Sequence, residues 1–396
     1  MFANRSIVIM IRFNTVVGAV AEGDSYLGRP RLVRKFWKHV AAGEHLLMAA
    51  PRRVGKTSFM RDVEREPEPG FHPVYLIVES ARDEKDLFRK LYAKAIEMVS
   101  TKVELTRKLG ALWKRLSVEV TTDGLKLTAA DADSYNDLLI LLKGLPAKEH
   151  FVFLVDEFSQ AVENIRKIHG AEAAVGLLHK MRELRQDPDV VKRVSFVFAG
   201  SVGLEQIVGK LNASHAINDV LAFDMPPFTP KEAHALLERI LDGSGADMPM
   251  PVREHLLEKL VWLIPFFIQV VMNEVEEILN EEEGTTVTKK LVDHAFTKAL
   301  AKRNYYDHWH QRLSILFDTL ERRYAKEVLN LCSAGKPVAM DKVHDIGTTK
   351  HKLPDTYMDI VRSLIHDGYL VRDGDARALR FASPLLMRWW AQTIAP

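Results

Sequence analysis

The 396-residue chain has little of several features that would restrict its function. It contains one cysteine, Cys332, which excludes an internal disulfide framework, and no Cys/His cluster has zinc-site spacing. Because its neighbours are apolar at helical spacing, Cys332 is expected to be a buried packing thiol rather than a nucleophile. Lys and Arg (55) nearly balance Asp and Glu (53), so the net charge of +2 favours neither the presence nor the absence of a nucleic-acid partner.

Long hydrophobic runs are also missing. The apolar run at residues 7–11 is ended by Arg12 and is too short to span a membrane, and no cleavage site of small residues follows it. No other stretch approaches about twenty uncharged apolar residues. We therefore expect a soluble, cytoplasmic protein without a membrane partner, with Met10 as an alternative start codon to Met1. With 47% hydrophobic and 27% charged residues, a chain of this length is expected to form roughly two or three domains.

One motif dominates the sequence. Residues 49–58 read Ala-Ala-Pro-Arg-Arg-Val-Gly-Lys-Thr-Ser, a relaxed phosphate-binding loop between a predicted buried strand (45–49) and a predicted helix. Such a loop aims backbone N–H groups and a helix N-terminus at an anion, and Gly55 allows close approach. Lys56 is expected to reach the β and γ phosphates and Thr57 to complete Mg²⁺ coordination. The predicted nucleotide-binding residues of the loop are Ala50, Pro51, Arg52, Arg53, Val54, Gly55, Lys56, Thr57 and Ser58. The alternative is a chance Gly-Lys-Thr at a helix start.

A second motif supplies acidic residues. Asp156 and Glu157 directly follow the apolar run 151–155, which is the Walker B pattern. A carboxylate at the carboxyl end of a parallel strand can hold magnesium, and the next one can polarise the attacking water. We therefore predict Asp156 as a metal ligand and Glu157 as catalytic. The alternative is an acidic pair that only caps the strand.

Two further predictions are less specific. Ser201 follows another apolar run, 194–199, and is predicted to contact the γ-phosphate or the attacking water; an equally good interpretation is a helix cap. Three arginines between the Walker B strand and that run are candidates for an arginine finger, although surface positions are the commoner fate of arginine. These are Arg182, Arg185 and Arg193. Arg52 and Arg53 could face a phosphate, stay exposed or pair with acids.

Apolar runs at 45–49, 74–78, 151–155, 194–199 and 220–223 alternate with helical patterns at 83–99, 133–143 and 161–185. Near-continuous apolar strands alternating with helices predict a P-loop α/β fold, a parallel sheet with helices on both faces. Residues 117–127 alternate around Asp123 and Gly124, which predicts an inserted hairpin.

From residue 226 the pattern becomes helical. Thr229 is predicted as an N-cap, with Pro230 in the first turn and Glu232 completing a capping box. We predict an N-terminal arm (1–20), an α/β core (21–225), an all-helical lid (226–305) and a winged-helix domain (313–396). In the last segment, 338–344 is predicted as a helix. His308 and His310 lie two apart and cannot share a metal from one helix; we interpret them and Trp389–Trp390 as interdomain packing.

The phosphate loop, the Leu-Val-Asp-Glu-Phe segment (154–158) and the Ala-Gly-Ser after the fourth strand (199–201) resemble the AAA-related, STAND-type ATPases of bacteria and archaea. Leu27, Gly28 and Arg29 are similar to the segment that packs near adenine in that family. Residues 264–269 resemble its lid segment, although Leu263 stands where that family has glycine. Residues 367–390 look like its winged-helix tail.

The resemblance implies ATP and Mg²⁺ as cofactors. The expected function is an ATP-binding protein and slow Mg-dependent ATPase that acts as a nucleotide-dependent switch, with a protein partner or self-association. The alternative is a DNA-associated regulator in which the nucleotide is structural. Residues 311–396 hold 13 Lys/Arg against 10 Asp/Glu, which supports nucleic-acid binding only weakly.

Overall fold

The computed structural model describes residues 10–100, 118–121, 124–127, 133–146, 148–200, 203–374 and 377–396. The chain forms two compact units. The α/β unit comprises Gly28–Ala50 and Lys56–Met225, and the C-terminal unit comprises Met1–Leu27, Pro51–Gly55 and Pro226–Pro396.

The α/β unit is built around a five-stranded parallel sheet. Its strands are β1 (His45–Ala49), β2 (Phe71–Ile77), β5 (His150–Asp156), β6 (Val194–Gly200) and β7 (Val220–Ala222), in the order β2-β5-β6-β1-β7. The helices are α1 (Pro30–Ala41), α2 (Lys56–Arg65), α3 (Glu84–Ser100), α4 (Ser134–Gly144), α5 (Phe158–His169), α6 (Ala171–Gln186) and α7 (Leu204–Lys210). All seven residues of β6 are buried, as expected for a central strand covered on both faces. The predicted parallel α/β sheet is confirmed.

The predicted hairpin is present as two antiparallel strands, β3 (Val118–Thr121) and β4 (Gly124–Leu127). Of the predicted turn residues, Gly124 begins β4 and Asp123 lies outside the described residues.

The helical pattern predicted over 161–185 is confirmed, but it is divided between two helices. Gly170 divides it into α5 and α6, with a φ of 90° that L residues rarely adopt. The chain therefore leaves one helix and enters the next through a single residue.

The C-terminal unit is mainly helical. Its helices are α8 (Pro230–Leu241), α9 (Met250–Leu260), α10 (Pro265–Glu281), α11 (Lys289–Ala301), α12 (Asp307–Leu316), α13 (Thr319–Ser333), α14 (Met340–Asp345), α15 (Tyr357–His366) and α16 (Pro384–Thr393). Helix α8 begins as predicted, because the Thr229 side chain accepts from the Glu232 N–H and the Glu232 carboxylate accepts from the Thr229 N–H.

A small antiparallel sheet follows α13. It consists of β8 (Val338–Ala339), β9 (Leu370–Asp373) and β10 (Ala378–Phe381), in the order β8-β10-β9. The helix predicted over 338–344 is therefore wrong at its start, because Val338 and Ala339 pair with β10 before α14 begins.

Aromatic side chains form much of the core of the C-terminal unit. Tyr306 stacks on Trp389 with ring centroids 5.2 Å apart, and Trp309 meets Tyr369 edge to face at 5.2 Å. Trp389 and Trp390 are both fully buried, so they pack in the core of this unit rather than form an exposed stacking platform, and the interdomain part of the interpretation stays a prediction. Cys332 is also buried, which raises the pKa of its thiol to about 12. The predicted packing thiol is confirmed.

Residues of the N-terminal arm pair with α10 in the same unit. The Ile11 N–H donates to Asn280 Oδ1 and the Asn280 amide donates to the Ile11 carbonyl, both at 2.8 Å. The Phe13 N–H donates to Glu276 at 2.7 Å, and the Ile11 and Phe13 side chains are buried. This part of the arm is therefore an integral part of the C-terminal unit.

Candidate nucleotide-binding site

The loop that joins β1 to α2 has two residues in the left-handed region. Gly55 has a φ of 96°, which explains the glycine, and Arg53 has a φ of 65°, which costs free energy for a residue with a Cβ. Helix α2 then begins at Lys56, the next residue. Loops that end at a helix N-terminus in this way direct backbone N–H groups at an anion.

Lys56 connects the end of the loop to its beginning. The Lys56 side chain is buried, and its Nζ donates to the Ala50 carbonyl at 2.6 Å. Val54 and Ser58 are also buried. The ammonium group is thus held at Ala50, which stands where a phosphate-binding loop usually has its first glycine.

The Asp156 carboxylate accepts hydrogen bonds from three residues of the candidate site. It ends β5 and is only 4% exposed. Thr57 Oγ1 and Tyr75 Oη each donate to Asp156 Oδ2 at 2.8 Å, and the Glu157 N–H donates to Oδ1 at 2.9 Å. The structure therefore brings together Thr57 and Asp156, the two residues that the sequence predicts as metal ligands.

Tyr75 was not predicted from the sequence. It lies in β2, next to β5 in the sheet, and burial followed by the charge of Asp156 raises the pKa of its phenol well above the usual value. The Arg61 guanidinium of α2 lies 3.9 Å from the centre of its ring. The sequence shows a tyrosine within the apolar run 74–78, which does not indicate the partner of its hydroxyl.

Glu157 occupies the residue between β5 and α5. Its φ of 55° is left-handed, and it stands at the N-cap of α5. A residue other than glycine in this conformation is uncommon and is concentrated at functional sites. The predicted catalytic carboxylate therefore belongs to a sharp turn directly after the buried Asp156.

The end of β6 packs closely against the start of α5. A Cβ added to Gly200 would lie 2.5 Å from Ser159 Oγ, so only glycine fits here without displacement. Ser201, the predicted contact to the γ-phosphate or water, lies outside the described residues.

Arg53 makes its contacts within the C-terminal unit. Its Nη1 donates to the Gly18 carbonyl at 3.1 Å, and its guanidinium lies 4.8 Å from the ring centre of Phe266. Burial, and then Arg52, lowers the pKa of Arg53. Arg53 is half-buried, and its described partners are a carbonyl and an aromatic ring rather than an acid, so it is neither exposed nor paired with an acid as the sequence suggested. A phosphate contact of this residue stays a prediction.

The imidazole of His308 is affected by the positive charges of these loop arginines. Burial, followed by the charges of Arg53, Arg52 and Arg312, lowers the pKa of His308 to about 3. The imidazole is therefore neutral at physiological pH. Within the described residues, no group of three or more His, Cys, Asp or Glu side chains could hold a metal ion.

One arginine-finger candidate is excluded by its contacts. Arg185 is 2% exposed and forms a two-pronged ion pair with Asp219 at 2.8 and 2.9 Å, while its Nη2 also donates to the Ala216 carbonyl. This guanidinium is a buried structural group, which removes Arg185 from the candidates for an arginine finger and also from the surface positions expected for most arginines. Arg193 donates to the Asp189 carbonyl at 2.5 Å, and Arg182 is partly buried.

The predicted adenine segment immediately precedes α1. Leu27 belongs to the C-terminal unit, whereas Gly28 and Arg29 belong to the α/β unit. Arg29 is the N-cap residue of α1 and is 5% exposed. A nucleotide contact of these three residues stays a prediction.

Two solved structures share this architecture over almost their whole length. A Walker-type ATPase of Pyrococcus abyssi is 16% identical, with a TM-score of 0.60 over 93% of this chain and 97% of that one. The ORC2 protein of Aeropyrum pernix, solved as ADPNP–ADP complexes, is 13% identical, with a TM-score of 0.52 over 92% of this chain and 91% of that one. The fold is that of a P-loop ATPase.

At these identities the likeness establishes the fold alone. No protein-family model matches the chain, and no curated protein matches it in sequence. None of the helices in the described ranges is long and apolar enough to cross a membrane.

Proposed function

We propose that this protein binds ATP with Mg²⁺ at residues 50–58 and hydrolyses the nucleotide slowly, as a molecular switch. The observation that carries the proposal is the 2.8 Å hydrogen bond from Thr57 to Asp156, which unites the end of the phosphate loop with the Walker B strand. Both groups offer oxygen ligands, which Mg²⁺ prefers, and the Asp156 carboxylate is buried.

Each residue then has one task. Lys56 donates to the β and γ phosphate oxygens, and the loop amides bind the remaining phosphate charge. Thr57 and Asp156 hold the magnesium ion, which when bound neutralises charge on the phosphates. Glu157 orients and polarises the attacking water, and Ser201 is proposed to assist it. Tyr75 positions Asp156 through its hydroxyl hydrogen bond.

Two observations support ATP as the nucleotide. The sequence has no guanine-reading Asn-Lys-x-Asp motif after the fourth strand of the sheet core, β6. One of the similar structures, the ORC2 protein, was solved with ADPNP and ADP. Leu27, Gly28 and Arg29 are proposed to pack near the adenine.

The C-terminal unit is proposed to contain a helical lid (226–305) and a winged-helix domain (313–396). Helices α13 to α15 and the β8-β10-β9 sheet support the second assignment. A switch requires that the nucleotide favours one of two conformations through differential contacts, and this unit is the proposed reporter of that change.

Three variants of the full chain test the proposal. Lys56→Ala is expected to lose MgATP binding, and Glu157→Gln is expected to bind MgATP but to release no phosphate above background. Lys38→Ala, which changes an exposed lysine of α1, is the control and should match the wild type. Calorimetry measures binding, and a phosphate-release assay measures turnover. Equal turnover in wild type and Glu157→Gln would remove Glu157 from its role, and no binding by the wild type would refute the proposal.

The alternative function is DNA association through the winged helix, favoured by helices α13 to α15 together with the β8-β10-β9 sheet. Titration with duplex DNA at several salt concentrations separates the two, because phosphate contacts impose a steep dependence of affinity on salt. Mass measurement with and without a non-hydrolysable ATP analogue tests self-association.

A further inference from the structure

A pair of exposed histidines lies in the α/β unit. His179 is on α6 and His215 is in the short 3-10 helix Ser214–Ile217. Their Nε2 atoms are 3.0 Å apart, and their ring centroids are 5.1 Å apart. Neither residue belongs to the proposed nucleotide site.

We infer that His179 and His215 form a surface site for a divalent transition-metal ion. Neutral imidazole Nε2 is a common ligand of such ions. Two nitrogens that each bind Zn²⁺ at about 2.0–2.1 Å in tetrahedral geometry lie roughly 3.3 Å apart. The observed 3.0 Å separation therefore needs to widen by only a few tenths of an ångström to admit the ion.

Buried contacts fix the two elements relative to each other. Arg185, further along α6, donates to the Ala216 carbonyl at 2.6 Å and pairs with Asp219. Leu178 and Ala216, the immediate neighbours of the two histidines, are buried. The imidazoles are thus presented from a rigid base, so that little conformational entropy is lost when an ion binds.

Among the described residues, the two imidazoles are the protein ligands that the geometry offers. Glu183, one turn beyond His179, already accepts from Tyr135 Oη at 2.8 Å. In the described part of the chain, no third His, Cys, Asp or Glu completes a cluster with them. The site is therefore a two-nitrogen chelate whose other positions are open to water or to an outside ligand.

The competing explanation is a plain hydrogen bond between the rings. Both residues are exposed, and a hydrogen bond that competes with water contributes only about 1 kcal/mol. Glutamine distinguishes the two explanations, because its amide keeps a hydrogen-bonding group at this position and supplies no imidazole nitrogen.

The test is a Zn²⁺ titration of the full chain against a chromophoric chelator at neutral pH. The wild type is expected to show one preferred zinc site. His179→Gln and His215→Gln each remove a ligand and are expected to weaken it at least about tenfold, the smallest loss typical when only an outer-shell partner of a ligand is removed. His169→Gln is the matched control: it changes an exposed histidine on α5 whose Nε2 bonds the Arg82 carbonyl, and it should bind like the wild type. The melting temperature of each variant without zinc verifies that it is folded.

A second measurement needs no variant. With half an equivalent of Cu²⁺, the electron paramagnetic resonance spectrum of the wild type should show hyperfine coupling to two imidazole nitrogens. If His179→Gln/His215→Gln retains the preferred zinc site with unchanged affinity, or if zinc affinity falls equally in the control, the inference is refuted.

Discussion

The carboxylate of Asp156 is buried and accepts three hydrogen bonds, from the hydroxyls of Thr57 and Tyr75 and from the Glu157 N–H. A buried carboxylate is tolerated when hydrogen bonds such as these replace the water that it has lost. Thr57 is supplied by the phosphate-loop helix and Tyr75 by the neighbouring strand. Each donor therefore stabilises the fold and aligns the site at the same time.

Tyr75→Phe is expected to lower the free energy of unfolding by about 1–3 kcal/mol, because it removes a hydrogen bond to a charged group. Tyr92→Phe is the matched control, since the buried Tyr92 hydroxyl has no hydrogen-bond partner in the described structure. Its removal should leave stability unchanged or raise it. Urea denaturation of both variants measures the difference, and equal losses would contradict a role of Tyr75 in holding Asp156.

His45 shows how a single titratable residue connects stability to pH. Its Nδ1 accepts from the Phe196 N–H at 3.0 Å, and its Nε2 donates to the Arg185 carbonyl at 3.2 Å. Both partners suit a neutral ring with the proton on Nε2. Burial lowers the pKa of His45 to about 4 from its usual 6.5.

Between pH 6.5 and about 4 the unfolded chain takes up a proton at His45 and the folded chain does not. The free energy that His45 contributes to folding is therefore fully present above pH 6.5 and is lost as the pH decreases through this range. The loss from this residue is at most about 3 kcal/mol. His150, whose pKa burial also lowers to about 4, acts in the same range and direction. His45→Asn should flatten the profile of urea midpoint against pH in this window. Parallel profiles of variant and wild type would refute the assignment.

At the scale of elements, several strands and helix starts follow from local patterns. The capping box at Thr229 and the apolar strands are determined by nearest neighbours along the chain, so the sequence predicts them. The break at Gly170 was missed because apolar periodicity continues on both sides of it. Pairing of Val338 and Ala339 with β10 was missed because that partner lies some forty residues further on.

The candidate site likewise has features that the sequence predicts and features that it does not. The sequence predicts Thr57 and Asp156 together, because carboxyl ends of parallel strands meet at one edge of a sheet. It does not predict Tyr75, since the hydroxyl's partner depends on the β2–β5 register, which pairs Tyr75 with Leu154 and Ile77 with Asp156. The sequence also left Arg185 as a candidate for an arginine finger, because its partner Asp219 lies on a loop that is distant along the chain.

Gly200→Ala is expected to destabilise the α/β unit by about 1–3 kcal/mol, because the new Cβ would meet Ser159 near the start of α5. It is also expected to reduce ATP turnover, because Glu157 stands at the N-cap of the same helix. Gly209→Ala in α7 is the control: its added Cβ meets nothing within 4 Å, and alanine should stabilise this helix by roughly 0.5–1 kcal/mol. Denaturation and phosphate release measure both effects. Wild-type behaviour of Gly200→Ala would show that this close approach does not matter.

At the scale of the whole molecule, each of the two units has its own hydrophobic core. In the α/β unit, Phe36 packs against Phe59 and Phe223 at ring distances of 5.6 and 5.9 Å. In the C-terminal unit, the core includes the Tyr306–Trp389 stack and the buried Arg312–Asp367 pair, which is 2.9 Å long. Units with separate cores need not unfold in one step.

Tryptophan fluorescence reports mainly on the C-terminal unit, because four of the six tryptophans lie there: Trp262, Trp309, Trp389 and Trp390. The urea transition followed by fluorescence is expected to differ from the one followed by circular dichroism, which sees both units. Trp37→Phe, in the α/β unit, should leave the fluorescence midpoint unchanged. Coincident transitions with both probes would show that the chain unfolds as a single cooperative unit.

The position of β6 has a mechanical consequence. It lies between β1, which leads to Thr57, and β5, which ends at Asp156, so these strands are separated by two inter-strand spacings, roughly 9.6 Å. Strand β6 therefore sets the distance between the ends of β1 and β5, which the Thr57 hydroxyl and the Asp156 carboxylate must bridge. A bulge or proline in this strand would rescale the gap without touching either end, whereas a residue inserted beside Gly170 would only lengthen a surface connection.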